Sequence, residues 1–320
     1  MIPANLAVGT LALGVVLAVF IGVSLGLLGG GGSILTVPIL VYVLGLPAHE
    51  AIATSLLVVG VTSLAALVPH ARKGRVRWQM GALFGAASMV GAYSAGRVAK
   101  LLPAVVLLLV FGAMMLITAL AMMRKGSADA KDEAVSAEAT RLPYLVILLE
   151  GFAVGAFTGL VGAGGGFLVV PALLLLGRLP MRQAVATSLM VIAMKSFAGF
   201  AGYLSTTTID WRIAAMVTSA AVVGSFLGAS FAGRVRQDLL RRGFAWFVLT
   251  MAVFILAQEI PKAAGWQFSL ATDWPVILGM VLVPLTLGVI SLLRQARTGE
   301  SPGRPRENHE EPAPRIVASH

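Results

Sequence analysis

Two glycine runs and one lysine hold the residues best placed to do chemistry. Gly26-Leu27-Leu28-Gly29-Gly30-Gly31-Gly32-Ser33 lies in strongly apolar sequence and closes on Thr36-Val37-Pro38. The pattern returns 133 residues later as Gly159-Leu160-Val161-Gly162-Ala163-Gly164-Gly165-Gly166, closing on Val169-Val170-Pro171. Each glycine lowers helix propensity by roughly 1 kcal/mol relative to alanine, so a helix is expected to break at each run. A half-helix that starts after such a break points free N–H groups and the positive end of its dipole at the gap. That is the chemistry of an anion site, and glycine lets a ligand come close to the backbone. On this reading Gly30, Gly31, Gly32 and Ser33 line a substrate site with Gly164, Gly165 and Gly166. The plainer reading is that the glycines only let helices pack closely, but four in a row are denser than packing needs. No Lys-Ser or Lys-Thr pair follows either run, which argues against a phosphate loop.

Thr54-Ser55 and Thr187-Ser188 are the next candidates, again 133 residues apart. Hydroxyls both donate and accept, so they suit an oxyanion; the alternative is that they bond within their own helix or to a neighbouring one. Lys195 lies 11 positions after Ala184 and nine before Leu204, near the middle of an apolar run. A lysine there costs about 3 kcal/mol or more, and its stem is too short to reach either interface. It reads as an anion-attracting or proton-coupling group, against the alternative of a structural ion pair. Glu150, about 10 Å into its own run by helix rise, is the second coupling candidate and the candidate partner of Lys195. The four histidines show no metal-ligand spacing and no cofactor motif is present, so neither a metal nor a cofactor is expected.

These residues sit in a chain of 320 residues that is 58% apolar and only 12% charged. Its mean hydropathy is +0.90. Repeated apolar runs approach the ~20 residues that cross a bilayer, which predicts an all-α polytopic membrane protein. The runs are 6–28, 34–44, 51–68, 78–98 and 103–123, then 143–161, 167–176, 184–204, 211–235, 243–260 and 274–293. The net charge of +10 comes from bases between the runs, so anionic lipid headgroups account for it better than nucleic acid. Disulfide and thiol chemistry is excluded by the absence of cysteine. The first basic residue is Arg72, so the opening run is expected to be a retained span rather than a signal peptide. The run 34–44 has 11 residues, about 16 Å as a helix. It cannot cross a core of roughly 30 Å alone. Each break therefore joins a full helix to a half-helix, giving about nine to eleven membrane elements.

The repeat extends beyond the glycines. Leu46-Pro47 matches Leu179-Pro180, Ala53-Thr54-Ser55-Leu56 matches Ala186-Thr187-Ser188-Leu189, and Ser63, Trp78 and Gly91 match Ser196, Trp211 and Gly224. This is an internal duplication. The loop before Trp78 carries Arg72, Lys73, Arg75 and Arg77, whereas its counterpart before Trp211 carries only Asp210. Pro47-Ala48-His49-Glu50 has no Lys or Arg, whereas its counterpart has Arg178 and Arg182. Opposite bias at corresponding loops predicts inverted repeats, with the N-terminus outside and the C-terminus cytoplasmic. The expected organisation is a first membrane repeat at 1–123, a cytoplasmic linker at 124–142, a second repeat at 143–261, an extra transmembrane helix at 262–293 and a disordered tail at 294–320. Two interrupted helices at matching positions of inverted halves are the usual pointer to a transporter's binding site.

Taken together, the doubled glycine motif with Pro38, the two Ala-Thr-Ser-Leu segments and the stretch Lys195-Ser196-Phe197-Ala198-Gly199-Phe200-Ala201-Gly202 resemble the sulfite exporter TauE/SafE family, also called the toluene-sulfonate-uptake permease family. The resemblance covers roughly 6–293. It implies a secondary transporter in the cell (inner) membrane, an exporter of a small sulfur oxyanion or organosulfonate such as sulfite, working by alternating access. The alternatives are a passive anion channel, or an uptake permease for another small organic anion. The expected partners are that anion and membrane lipids, with no nucleic acid; a homo-oligomer is possible. An intramembrane serine protease is the rival from another class, but Lys195 and Ser196 are adjacent, so on a helix they point about 100° apart.

Overall fold

The computed structural model describes residues 8–28, 31–124, 144–162, 164–175, 179–231 and 237–264. Most of the linker, the run 274–293 and the tail lie outside the described residues, as do Gly29 and Gly30. All regular elements among the described residues are helical. Four helices are long and apolar enough to cross a bilayer, and four shorter apolar helices accompany them. The chain is a multi-pass, all-α membrane protein.

The first half runs α1 (Val8–Leu28), a broken segment, α3 (Ala48–Arg72), α4 (Trp78–Val98) and α5 (Ala104–Arg124). The broken segment is a 3-10 helix at Gly31–Leu35, a single turn α2 (Thr36–Pro38) and a π turn at Ile39–Val43. The second half runs α6 (Tyr144–Val161), α7 (Gly166–Leu175), α8 (Met181–Leu204), α9 (Trp211–Phe231) and α10 (Gln237–Ala263). The two long central helices, α3 and α8, start in the same way. Pro47 and Pro180 both hold φ at −55° with extended ψ immediately before the first turn, where a proline lacks nothing the helix needs.

Both glycine runs break the helix, but not with the same geometry. After α6 the chain passes through left-handed backbone at Gly162, Gly164 and Gly165, with φ of 73°, 57° and 64°. Glycine takes up that region at no steric cost. α7 then begins at Gly166, and the N–H groups of Leu168 and Val169 close on the Gly165 carbonyl at 3.0 and 2.9 Å. In the first half, Gly31 and Gly32 are already wound into the tighter 3-10 form. The segment folds back beside α1: a Cβ placed on Gly14 would lie 2.6 Å from the Leu44 side chain. It is re-entrant and does not cross.

Glycine contacts also give the helix directions. In the α4/α6 pair, Gly151 faces Phe84, Gly155 faces Ser88 and Gly159 faces Ala92, so both helices run the same way. The pair α1/α9 is likewise parallel, with Val19 against Gly224 and Val23 against Gly228. α4 is parallel to α8, from Gly81 beside Thr187 to Gly96 beside Gly202. α3 and α8 are antiparallel: Gly60 meets Phe197 and Gly199 meets Leu56. Along α3 and α9, Glu50 bonds to Asp210 at the start and Ala51, Val58, Ile213, Val217 and Ala221 share one core, so these run together. Hence α1, α3 and α9 point one way and α4, α6 and α8 the other. The counterparts α1 and α6, α3 and α8, and α4 and α9 are each reversed, so the duplication is inverted.

The main packing is between halves. α1/α9 is the mirror of α6/α4, and α3/α8 and α5/α10 each pair a helix with its own counterpart. At Gly155 an added methyl would overlap the Ser88 backbone, and at Gly22 it would overlap Ala221. These are small-residue contacts of the kind that hold helices together in lipid. Leu13, Phe20, Val90, Ile117, Leu149 and Phe226 point outward and are exposed, giving an apolar perimeter.

Gly155→Val inserts bulk where backbone meets backbone, and should destabilise the fold by at least about 1–3 kcal/mol. Gly9 has nothing within 4 Å of an added Cβ, so Gly9→Val is the matched control and should cost less. Thermal unfolding of the two purified variants in detergent checks the difference; equal midpoints would mean that the α4/α6 contact does not limit stability.

Candidate functional site

The second break sits at the centre of the fold, and residues from both halves converge on it. α8 delivers Lys195, the fifteenth of its 24 residues, with only 1% of its surface exposed. Lys195 Nζ donates to Thr158 Oγ1 at 2.6 Å. Thr158 in turn donates its one hydroxyl proton to the Val154 carbonyl at 2.7 Å, which leaves a lone pair for the lysine. A Cβ on Gly165 would collide with both the Thr158 side chain and Lys195 Nζ. The lysine nitrogen therefore rests directly against the bare backbone of the break.

The first half closes the other side. A Cβ on Gly164 would overlap Val59 of α3 and lie 2.9 Å from Ser33 Oγ. Ser33, fully buried in the 3-10 turn after the first run, thus touches the second run. Ser55 Oγ lies 2.5 Å from the Gly162 carbonyl and 2.9 Å from its own Ile52 carbonyl, and its single proton is shared between them. One set of contacts therefore joins the re-entrant segment, α3, α6, α8 and the Gly162 to Gly165 break. Lys195, Ser33, Ser55 and Thr158 are all buried, so the site is closed to solvent on both sides in this conformation.

The structure thus gathers Ser33, Ser55, Gly164, Gly165 and Lys195 in one place. Gly31 and Gly32 start the 3-10 turn and Gly166 starts α7; Gly30 lies outside the described residues. Thr54 is buried one position from Ser55, about 100° around the helix. Thr187 lies two turns before Lys195 and has a scaffold role: it accepts the Arg77 N–H at 3.0 Å where α4 begins. Ser188 is buried and donates to its own Val185 carbonyl at 2.8 Å.

The proposed pairing of Glu150 with Lys195 does not occur. α6 runs parallel to α8, and Lys195 meets it at Thr158, eight residues beyond Glu150 and about 12 Å along the helix. Glu150 Oε2 is buried without a hydrogen-bond partner. Among the described residues no acid pairs with Lys195. The serine–lysine dyad of a protease is not assembled either, because Lys195 turns to Thr158 while the buried Ser196 hydroxyl has no partner.

Sequence reasoning missed Thr158. The signal was present: the repeat places Leu25 opposite Thr158 and Thr62 opposite Lys195. These two departures from the repeat, leucine to threonine and threonine to lysine, meet at 2.6 Å. An open apolar groove of about 510 Å³ between α3 and α9, lined by Leu57, Val61 and Trp211, lies elsewhere.

A family model described as "Sulfite exporter TauE/SafE" matches residues 13–256. A "Probable membrane transporter protein" of Xylella fastidiosa is 35% identical over 243 residues, covering 74% of this chain and 91% of that protein. Probable membrane transporter protein YunE of Bacillus subtilis is 31% identical over 239 residues, 68% of this chain and 86% of the relative. A probable membrane transporter protein of Methanocaldococcus jannaschii is 27% identical over 259 residues, 75% and 94% of the two chains. No solved structure matches the chain.

Thr158→Val removes the acceptor and leaves a buried lysine unpaired. It should lower stability by about 1–3 kcal/mol. Lys195→Met in the same chain removes both partners, and the double variant should recover most of that loss. Thermal unfolding of the wild type, both singles and the double completes the cycle. Additive losses would show that the two side chains are not energetically coupled.

Proposed function

The chain belongs to the sulfite exporter TauE/SafE family, and on that premise we propose that it is a secondary transporter of a small sulfur oxyanion or organosulfonate such as sulfite. The observation that carries the reading is Lys195. It is a cationic side chain buried at mid-helix, held by a hydroxyl and by glycine backbone, with no acid paired to it among the described residues. An arriving anion supplies the missing counter-charge. Charge-assisted hydrogen bonds of this kind are the strong ones, and a desolvated site strengthens them further.

Ser33 at the first break, the N–H groups that open α7 beyond Gly165, and Lys195 are the groups expected to hold the substrate oxygens. Rocking of one inverted repeat against the other would expose the closed site to each side in turn. Export is the direction that the family description favours. The loop charges favour an inner-membrane topology with the N-terminus outside and the linker, the loop 72–77 and the C-terminus in the cytoplasm.

Two measurements test this. The chain has no cysteine, so single cysteines at His49 and Arg182 can be labelled in intact cells with an impermeant reagent. His49→Cys should react from outside and Arg182→Cys only after permeabilisation; labelling from the same side would remove the topology. In proteoliposomes, flux of radiolabelled sulfite should be inhibited by thiosulfate or by a sulfonate. Lys195→Met should weaken that competition about tenfold to a hundredfold, the loss of one charged hydrogen bond. Unchanged competition would make Lys195 structural and place the substrate elsewhere.

A further inference from the structure

A second buried charge lies at the far end of the re-entrant segment. Glu259 sits inside the apolar span Ala245–Ala263 of α10 and is 2% exposed. Tyr42, in the π turn of the re-entrant segment, donates its hydroxyl to Glu259 Oε1 at 3.2 Å. Lys262, one turn on and 44% exposed, reaches the same oxygen at 2.7 Å. The Tyr42 ring packs edge-on against Phe254 of α10 at 5.1 Å. The carboxylate is therefore sealed from lipid, joined to a half-exposed ammonium on one side and to the re-entrant segment on the other.

We propose that Glu259 is the proton-coupling carboxylate of this transporter, with Tyr42 and the re-entrant segment linking its charge state to the substrate site. The inference rests on the transporter reading above. An ionisable residue inside a span is costly to keep and marks a proton or ion pathway by default. Here the link to the site is covalent and short. The segment that carries Tyr42 also carries Ser33, which touches Gly164 beside Lys195. A proton bound at the carboxylate turns Glu259 into a neutral acid. The ion pair with Lys262 is lost, and the bond from Tyr42 loses its charge assistance. The π turn that carries Tyr42 is a geometry proteins keep at functional sites, and weakening the Tyr42 bond loosens one end of the element whose other end lines the closed site.

Among the described residues, the surroundings leave few other titratable groups. α5, which packs along α10, has none between Ala104 and Met123, and α1 has none. Tyr42 is the one titratable residue of the re-entrant segment, and Lys262 the one on α10 within a turn of Glu259. The site also lies on a useful side. The returning end of the segment lies beside the first third of α1, which is the outer face in the proposed topology, and Lys262 bridges the carboxylate to solvent.

The test uses the purified full chain in proteoliposomes with radiolabelled sulfite, thiosulfate and methanesulfonate in turn. The wild type should accumulate at least one of them when a pH gradient is imposed, and should exchange it without a gradient. Glu259→Gln should cut gradient-driven accumulation by about tenfold or more, while exchange stays within about threefold of the wild type. Glu259→Asp should restore part of the accumulation. Accumulation that survives in Glu259→Gln would overturn the role of Glu259 and leave the transporter reading intact. Loss of exchange together with accumulation in a well-folded Glu259→Gln protein would make the carboxylate a structural clasp, which also overturns it. A wild type that moves none of the three anions would refute the transporter reading itself.

Discussion

Backbone that leaves a helix inside a bilayer must be met by protein or by water, because lipid offers it nothing. The Gly162 to Gly165 break is such a departure, and the centre of this fold is arranged around it. Ser55 answers the Gly162 carbonyl, Leu168 and Val169 answer that of Gly165, and Lys195 lies against the Gly165 backbone. A side chain at Gly164 or Gly165 would have to occupy space already taken by Val59, Ser33, Thr158 or Lys195. The glycines are therefore needed twice: for left-handed φ and for the room that lets four other elements reach the break.

That requirement explains why neither half is a domain in the ordinary sense. The second break is met by α3 and the re-entrant segment of the first half, and α6 lies against α4 through a line of glycines. Each repeat thus completes the other's polar and steric needs. In lipid there is little hydrophobic gain from helix association, so close backbone contacts at Gly22, Gly91, Gly155 and Gly224 carry much of the cohesion.

The duplication was legible in the sequence because it is written in residues with one strong conformational meaning each, namely glycine runs, the Leu-Pro pairs before α3 and α8, and the Trp78 and Trp211 starts. The inversion was legible from loop charge alone, since lipid orientation responds to Lys and Arg. What could not be read were contacts between helices. Glu150 and Lys195 are two charges in neighbouring spans, and pairing them is the natural guess. Only the parallel register of α6 and α8 shows that Thr158, not Glu150, stands at the lysine's height. Thr187 looked equivalent to Thr54, yet it serves the start of α4 by accepting the Arg77 N–H, whereas the matching Asp210 N–H goes to Glu50. Sequence symmetry does not extend to hydrogen-bond partners. The conformation of the first run was also out of reach, because glycine permits the 3-10 form and the left-handed form alike.

The departures from symmetry cluster at a few polar residues. In a perfect inverted duplication, the state open to one side is the image of the state open to the other, and the two have equal free energy. A transporter with a preferred resting state needs the symmetry broken. Lys195 against Thr62 and Thr158 against Leu25 break it beside the second glycine break, and Tyr42 against Leu175 breaks it at the end of the re-entrant segment. Both sets are polar groups placed in apolar surroundings, where an interaction made in one state and lost in the other counts for more than it would in water. On the alternating-access reading, these few residues set which state the empty protein occupies. On the same reading, a ligand shifts that balance only through unequal affinity for the two states.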